Sequence, residues 1–241
     1  MMGMATAVLL SSCVKDTLYD TPHPDKGVVT ISLTGLSADD NYVLDMDGKV
    51  ADITGSPFTN PDLLNPGTHS MVIYNRAEGF TFDGRMARVN APDGKSRADG
   101  ASVIPLPGYL KTISQEITVT ADDTLRVNPV PQQRVRDLQL ELEVTQGRPE
   151  LIQSVTATLS GIAGIFDMEK GQTIGEPTST VFSFTRDGSK LTADARLLGT
   201  MGAVQTLVLD IVFTDGGRTQ RTEVDLTEAL ADFNSDMTTA Y

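Results

Sequence analysis

The chain has 241 residues, a formal net charge of −13, 39% hydrophobic residues, one cysteine, two histidines and no tryptophan. That length suits one large domain or two ordinary ones, and the apolar content supports packed cores rather than a disordered chain. The acidic field repels phosphate backbones and argues against nucleic-acid binding, while a single cysteine rules out an intrachain disulfide and, with only two histidines, leaves little for Cys–His catalysis or a His-rich metal site.

The first element is a short apolar run, Ala5-Thr6-Ala7-Val8-Leu9-Leu10, closed by Ser11-Ser12-Cys13. An apolar stretch, small residues and then Cys read as a lipoprotein signal. Leu10, Ser11 and Ser12 form the lipobox, Cys13 is the lipidated residue, and cleavage before it removes residues 1–12. The run is too short to span a bilayer, which takes about 20 residues, and no second run in the sequence is long enough. Met1-Met2-Gly3-Met4 carries no Lys or Arg, a departure from the basic start of secretory signals. Residues 13–27 then read as a polar tether whose prolines and charges suit an extended segment.

From Val28 the period is two. Val29, Ile31 and Leu33 share one face. Tyr42, Leu44 and Met46 begin a strand that turns at Asp47-Gly48 into a second, residues 49–53. Residues 69–75 are apolar on both faces in their middle, as a central sandwich strand is. Asp83-Gly84 and Asp93-Gly94 mark turns, and residues 113–120 form the last strand of this half. Asn128-Pro129-Val130-Pro131 suits a stiff connector, which divides the chain into sandwiches at 28–127 and 128–241. The second half opens with the clearest alternation, Leu138, Leu140, Leu142 and Val144. Strands follow around 155–160, 180–185, 191–198, 207–213 and 220–226. Residues 225–233 suit one short helix capped by Thr227 or Asp225. The expected fold is all-β, with two tandem sandwiches and little helix.

These pieces, in this order, resemble the FimB-like family of anchor and tip subunits of Bacteroidetes-type (type V) fimbriae. The resemblance rests on Ser12-Cys13 followed by Leu18-Tyr19-Asp20-Thr21-Pro22-His23-Pro24-Asp25-Lys26-Gly27, and on Leu64-Asn65-Pro66-Gly67-Thr68-His69 leading into Val72-Ile73-Tyr74-Asn75. It continues through Gln132-Gln133-Arg134-Val135-Arg136-Asp137-Leu138, Ala157-Thr158-Leu159-Ser160-Gly161-Ile162-Ala163-Gly164, Asp225-Leu226-Thr227 and Phe233-Asn234. It implies two transthyretin-like Greek-key sandwiches in a lipid-anchored, cell-surface protein of the outer membrane, with fimbrial shaft or accessory subunits as partners. It also implies that subunits which polymerise are cut by an Arg-directed protease in the first domain, whereas an anchor escapes the cut and keeps its lipid. The first arginine after Cys13 is Arg76, at the end of a predicted central strand deep in the first sandwich. That favours the anchor role, with contact by β-strand addition. Relatives tend to run on into another strand where this chain reads Met237-Thr238-Thr239-Ala240-Tyr241, so the second sandwich is expected to have an open edge or one completed by a partner.

The remaining motifs have plainer readings. Asp45, Asp47 and Asp52 resemble part of a calcium loop, but a closing Glu is missing and the hairpin reading is preferred. His69 is expected to hydrogen-bond locally, and His23 to be solvated. Gly161 and Gly164 are expected to bend the chain at a sheet edge. No catalytic residue, cofactor site or metal site is assigned. The alternative reading is a surface glycan-binding lipoprotein, against which the lack of tryptophan counts. A carboxylate hydrolase ranks third.

Overall fold

The computed structural model describes residues 19–34, 41–92 and 102–241. Eighteen strands appear in chain order. In the first half, β1 (Val28–Ile31), β2 (Tyr42–Met46), β3 (Lys49–Asp52), β4 (Phe58–Thr59) and β5 (Gly67–Asn75) are followed by β6 (Phe80–Asp83), β7 (Met86–Val89), β8 (Lys111–Val119) and β9 (Thr124–Val127). Then come β10 (Gln132–Gln133), β11 (Arg136–Glu143), β12 (Ile152–Ile162), β13 (Ile165–Asp167) and β14 (Gln172–Ile174). The chain ends with β15 (Thr178–Asp187), β16 (Lys190–Leu197), β17 (Thr206–Phe213) and β18 (Thr219–Asp225). The fold is all-β, and its helical content among the described residues is two 3₁₀ turns, Pro149–Leu151 and Phe233–Ser235.

The strands form four sheets. A three-stranded sheet, β4-β1-β9, packs on one face of a five-stranded sheet, β10-β8-β5-β2-β3. Their interface is a core of its own, with Val29 and Ile31 meeting Leu44, Met71, Ile73, Ile117 and Val119. Alternation explains this: Val29 and Ile31 point inward while Val28 and Thr30 are only partly covered. The other face of the five-stranded sheet is buried too. Val43, Val72 and Tyr74 belong to a second core, which continues into the six-stranded sheet β11-β16-β15-β12-β17-β18. All five residues of β2 are therefore buried, and so are the last five of β5. The two-sided apolar run at 69–75 signals a strand with a core on each face.

The fourth sheet joins the halves of the sequence. The β6–β7 hairpin turns at Gly84-Arg85, and β7 pairs with β13, placing Arg88 opposite Ile165 and Met86 opposite Asp167. The order β14-β13-β7-β6 thus takes two strands from each side of residue 128. Phe82 stacks on Tyr74 with ring centroids 5.0 Å apart, which seats the hairpin on the five-stranded sheet. Just past Pro131, β10 pairs with β8, so the proline-rich connector returns at once to a first-half sheet.

Several expectations need correction. Residues 113–120 are not the last strand of the first half, because β9 follows and runs parallel to β1. Residues 225–233 form consecutive turns rather than a helix, including one from Leu230 N–H to Leu226 O, and they end in the 3₁₀ turn. Asp225 Oδ1 does accept the Thr227 N–H at 2.8 Å, but the Thr227 hydroxyl accepts from Gln205 N–H and so ties the segment to the sheet. Gly161 does not lie at a sheet edge. It sits in β12, between β15 and β17, where the register shifts, with φ +75°. A Cβ there would fall 2.1 Å from the Val204 carbonyl oxygen, so only glycine fits. This bulge turns the chain out of the six-stranded sheet and into β13.

Candidate functional site: N-terminal clasp and open strand edges

Leu10, Ser11, Ser12 and Cys13 lie outside the described residues. Description begins at Tyr19, and the segment leading into β1 is fastened rather than merely extended. The Asp122 carboxylate accepts Asp20 N–H at 2.8 Å, Thr21 N–H at 2.7 Å and the Thr21 hydroxyl at 2.9 Å. Burial works against its charge, but these donors outweigh it and hold the carboxyl below its ordinary value. Asp122 has φ +56°, which suits a short polar residue whose side chain bonds locally. Gly27 and Leu64 exchange backbone hydrogen bonds at 2.9 and 3.0 Å, and Lys26 Nζ donates to Asn65 Oδ1. A Cβ on Gly27 would fall 2.2 Å from a Val119 methyl, so the chain passes here only as glycine. Beyond the clasp, β1 is paired on both sides, by β4 and β9.

Arg76 stands just past β5. Its side chain is half-exposed and bonds Asp52 at 2.7 Å, so it is a surface group rather than one deep in the sandwich. Its N–H donates to Asn41 O. The next arginine, Arg85, is structural. Nη2 donates to Asp45 Oδ1 at 2.7 Å, and Nη1 to Ser70 Oγ at 2.6 Å and Glu169 Oε1 at 2.7 Å. It links β2 and β5 to the β13–β14 turn, and these bonds raise its already high pKa further.

The acidic hairpin at Asp45, Asp47 and Asp52 diverges instead of converging on a cation. Asp45 faces Arg85, Asp52 faces Arg76, and Asp47 faces His69. Asp47 and Gly48 both have positive φ, as the two-residue turn requires. His69 Nδ1 lies 2.5 Å from Asp47 Oδ2 and Nε2 lies 2.7 Å from Asn65 O. With an acceptor at each nitrogen, the surroundings favour the imidazolium form. The Asp47 contact, followed by the Asn65 carbonyl, outweighs burial and raises its pKa.

Two kinds of edge are on offer. The seven residues of β18 pair with β17 on one side, and among the described residues no strand pairs on the other. The bonds Leu226 N–H to Gln205 O and Phe213 N–H to Arg218 O fix the phase of this pair. They leave the main-chain groups of Arg221 and Glu223 pointing outward. The four-residue β3 is the shorter open edge, with Val50 exposed. At the opposite border of the six-stranded sheet, Tyr241 partly closes β11. It donates to Asp137 O and accepts from Gln139 N–H, both at 3.0 Å, in a parallel bridge. The approach to it is held by Arg136, whose Nε donates to Thr239 O at 2.7 Å and whose guanidinium lies 4.6 Å from the Tyr241 ring centroid. Nothing in the local sequence marks Arg85, Asp122 or Arg136 for these tasks, because each joins segments far apart in the chain.

No family model matches the chain, and no curated protein does. Solved structures do. A candidate adhesin from Bacteroides ovatus superposes with a TM-score of 0.68 at 18% identity, covering 95% of this chain and 90% of that one. The fimbrial anchor protein Mfa2 from Porphyromonas gingivalis gives 0.55 at 13% identity, covering 88% and 86%. A second candidate adhesin from Bacteroides ovatus gives 0.51 at 11% identity, covering 86% and 77%. The chain therefore has the fold found in a fimbrial anchor protein and in adhesin-class proteins of Bacteroides, over most of its length.

Proposed function

We propose that this chain is a structural subunit of a cell-surface fimbrium and serves as its outer-membrane anchor. Cys13 carries the lipid, and fimbrial shaft or accessory subunits join by β-strand addition. The role is mechanical and involves no catalysis.

The observation that carries this reading is the fastening of an arginine-free N-terminal segment. From residue 14 to residue 75 there is no arginine, and within that stretch residues 20–31 are tied to the first sandwich by Asp122, Leu64, β4 and β9. A chain held in this way keeps whatever its N-terminus is attached to. The fold shared with a fimbrial anchor protein supports the same reading. The open edge of β18 supplies main-chain donors and acceptors for an added strand, and such bonds give affinity while alternate side chains give specificity.

The test is a pull-down from outer membranes, comparing the wild-type chain with Glu223→Pro. Proline at this outward position removes a donor from the free edge and none from the β17 pairing. Fimbrial subunits should co-purify with the wild type and be depleted with the variant. Equal recovery would move the contact off β18, and no fimbrial subunit in either sample would overturn the anchor reading.

A further inference from the structure

Arg134 stands apart from the arginines that are matched by a charge or held by the C-terminal segment. Arg76, Arg85, Arg196, Arg218 and Arg221 each pair with a carboxylate. Arg136 is engaged by carbonyls of the C-terminal segment. Arg134 is half-buried, and among the described residues no carboxylate lies within ion-pair distance of it. Its Nε donates to Thr112 Oγ1 at 2.9 Å and Nη2 reaches Thr112 O at 3.4 Å, while Nη1 meets no acceptor there. The guanidinium lies over the Phe166 ring, 5.2 Å from its centroid, within cation–π range. Burial pushes its pKa down, the signature of a charge short of compensation.

The unused donors line open space. A cavity of about 570 Å³ lies between Lys111 and Gln132–Arg134 on one wall and residues 234–238 on the other. A second, of about 240 Å³, extends past Phe166 to the β13–β14 turn, and Arg134 lines both. Asp236 is the acid on the far wall, but its carboxylate accepts from Thr238 N–H and from the hydroxyls of Thr238 and Thr239 and is turned to its own loop. Beside the cavity, Arg134 N–H donates to Leu110 O across the β10–β8 pair. By alternation, the Gln133 main chain faces away from β8, where a strand could meet it.

We propose that this cavity receives an acidic side chain carried on an extended peptide segment of a partner, with Arg134 as the receptor of its carboxylate. A planar guanidinium whose Nε side is held by Thr112 still presents two parallel donors at its Nη1/Nη2 end, the geometry that selects carboxylates. Lys111 adds positive potential on the same wall. The outward main chain of β10 favours a peptide over an acidic sugar, since a strand can pair there while its side chain reaches Arg134. The inference rests on the fimbrial reading only in treating the partner as a protein.

The test measures fluorescence anisotropy of the full chain with labelled pentapeptides that alternate Val and Thr around a central Asp, Glu, Asn or Gln. Labelled digalacturonate serves as a second probe. The acidic peptides should bind about tenfold or more tightly than their amides. Arg134→Gln should abolish that difference, and Arg134→Lys, which keeps the charge without the fork, should retain part of it. Thermal melts report whether each variant is folded. Equal binding of acids and amides by the wild type overturns the proposal, as does discrimination that survives in Arg134→Gln. Binding of labelled digalacturonate without binding of any acidic peptide reassigns the cavity to acidic sugars and also overturns it. If acidic peptides fail while fimbrial subunits still co-purify from membranes, this inference falls and the anchor reading stands.

Discussion

The five-stranded and six-stranded sheets use the same chemistry in opposite ways. In the six-stranded sheet, β15 and β16 alternate buried and exposed positions almost without a break, because one face meets solvent. In the five-stranded sheet, β2 is buried throughout, because a core lies on each side. One of those cores belongs to the first sandwich alone and the other is shared with the second half of the chain. A strand's two faces can therefore answer to different parts of the molecule, and neighbouring residues in one strand should report on different halves.

The largest expected effects break that comparison directly. Ile73, fully buried in the first sandwich's own core, and Tyr74, its neighbour in the shared core, should each cost about 4 kcal/mol on substitution by Ala. Hydrogen exchange should separate them. Ile73→Ala should loosen β1, β2 and β8, whereas Tyr74→Ala should also lower protection in β7 and β13, since it removes the ring on which Phe82 stacks. Identical exchange patterns would mean that the two cores act as one.

Arg85→Met should come next, costing about 3 kcal/mol, because it leaves the buried Asp45 carboxylate without its cation. Adding Asp45→Leu should recover part of the loss, as an apolar pair needs no charge compensation. Denaturant unfolding of the single and double variants checks this, and additive losses would contradict it.

The smallest effect is a pH dependence confined to the β2–β3 turn. The folded pKa of His69 is raised, so its contribution is full below the unfolded value and is lost as pH rises through the folded one. Asp47 is lowered: burial opposes this, but the bonds from His69 and Ser70 prevail, so its contribution is lost as pH falls through its folded value. The pair is at full strength between the unfolded values, about pH 4 to 6.5. The difference in Tm between wild type and His69→Gln should be greatest near pH 5.5 and shrink above neutrality. A difference that grows toward alkaline pH would contradict the imidazolium assignment.

Much of this architecture was legible in the residues. The Asp47-Gly48 turn, the two-sided run at 69–75 and the Leu138–Leu142 alternation place β2, β3, β5 and β11 with errors of a residue or two, because each pattern is local. The sheet that joins the halves was not legible. Its strands β13 and β14 have three residues each, too few to show a period, and β7 finds its partner across nearly 80 residues of chain. The short helix expected at 225–233 has an apolar spacing that suits one, but Leu230 and Phe233 are drawn into the shared core by turns instead. For the candidate site the balance is reversed. The lipobox expected from Leu10 to Cys13 is read from sequence alone, and it lies outside the described residues. The clasp at Asp122 and the unpaired fork of Arg134 emerge only when distant segments meet.

The central claim is that the N-terminal segment is kept, and mass spectrometry of the mature protein taken from outer membranes tests it most directly. The account predicts a chain that begins at Cys13 and carries acyl groups. An unlipidated chain beginning after Arg76, with β1 removed from between β4 and β9, would contradict it.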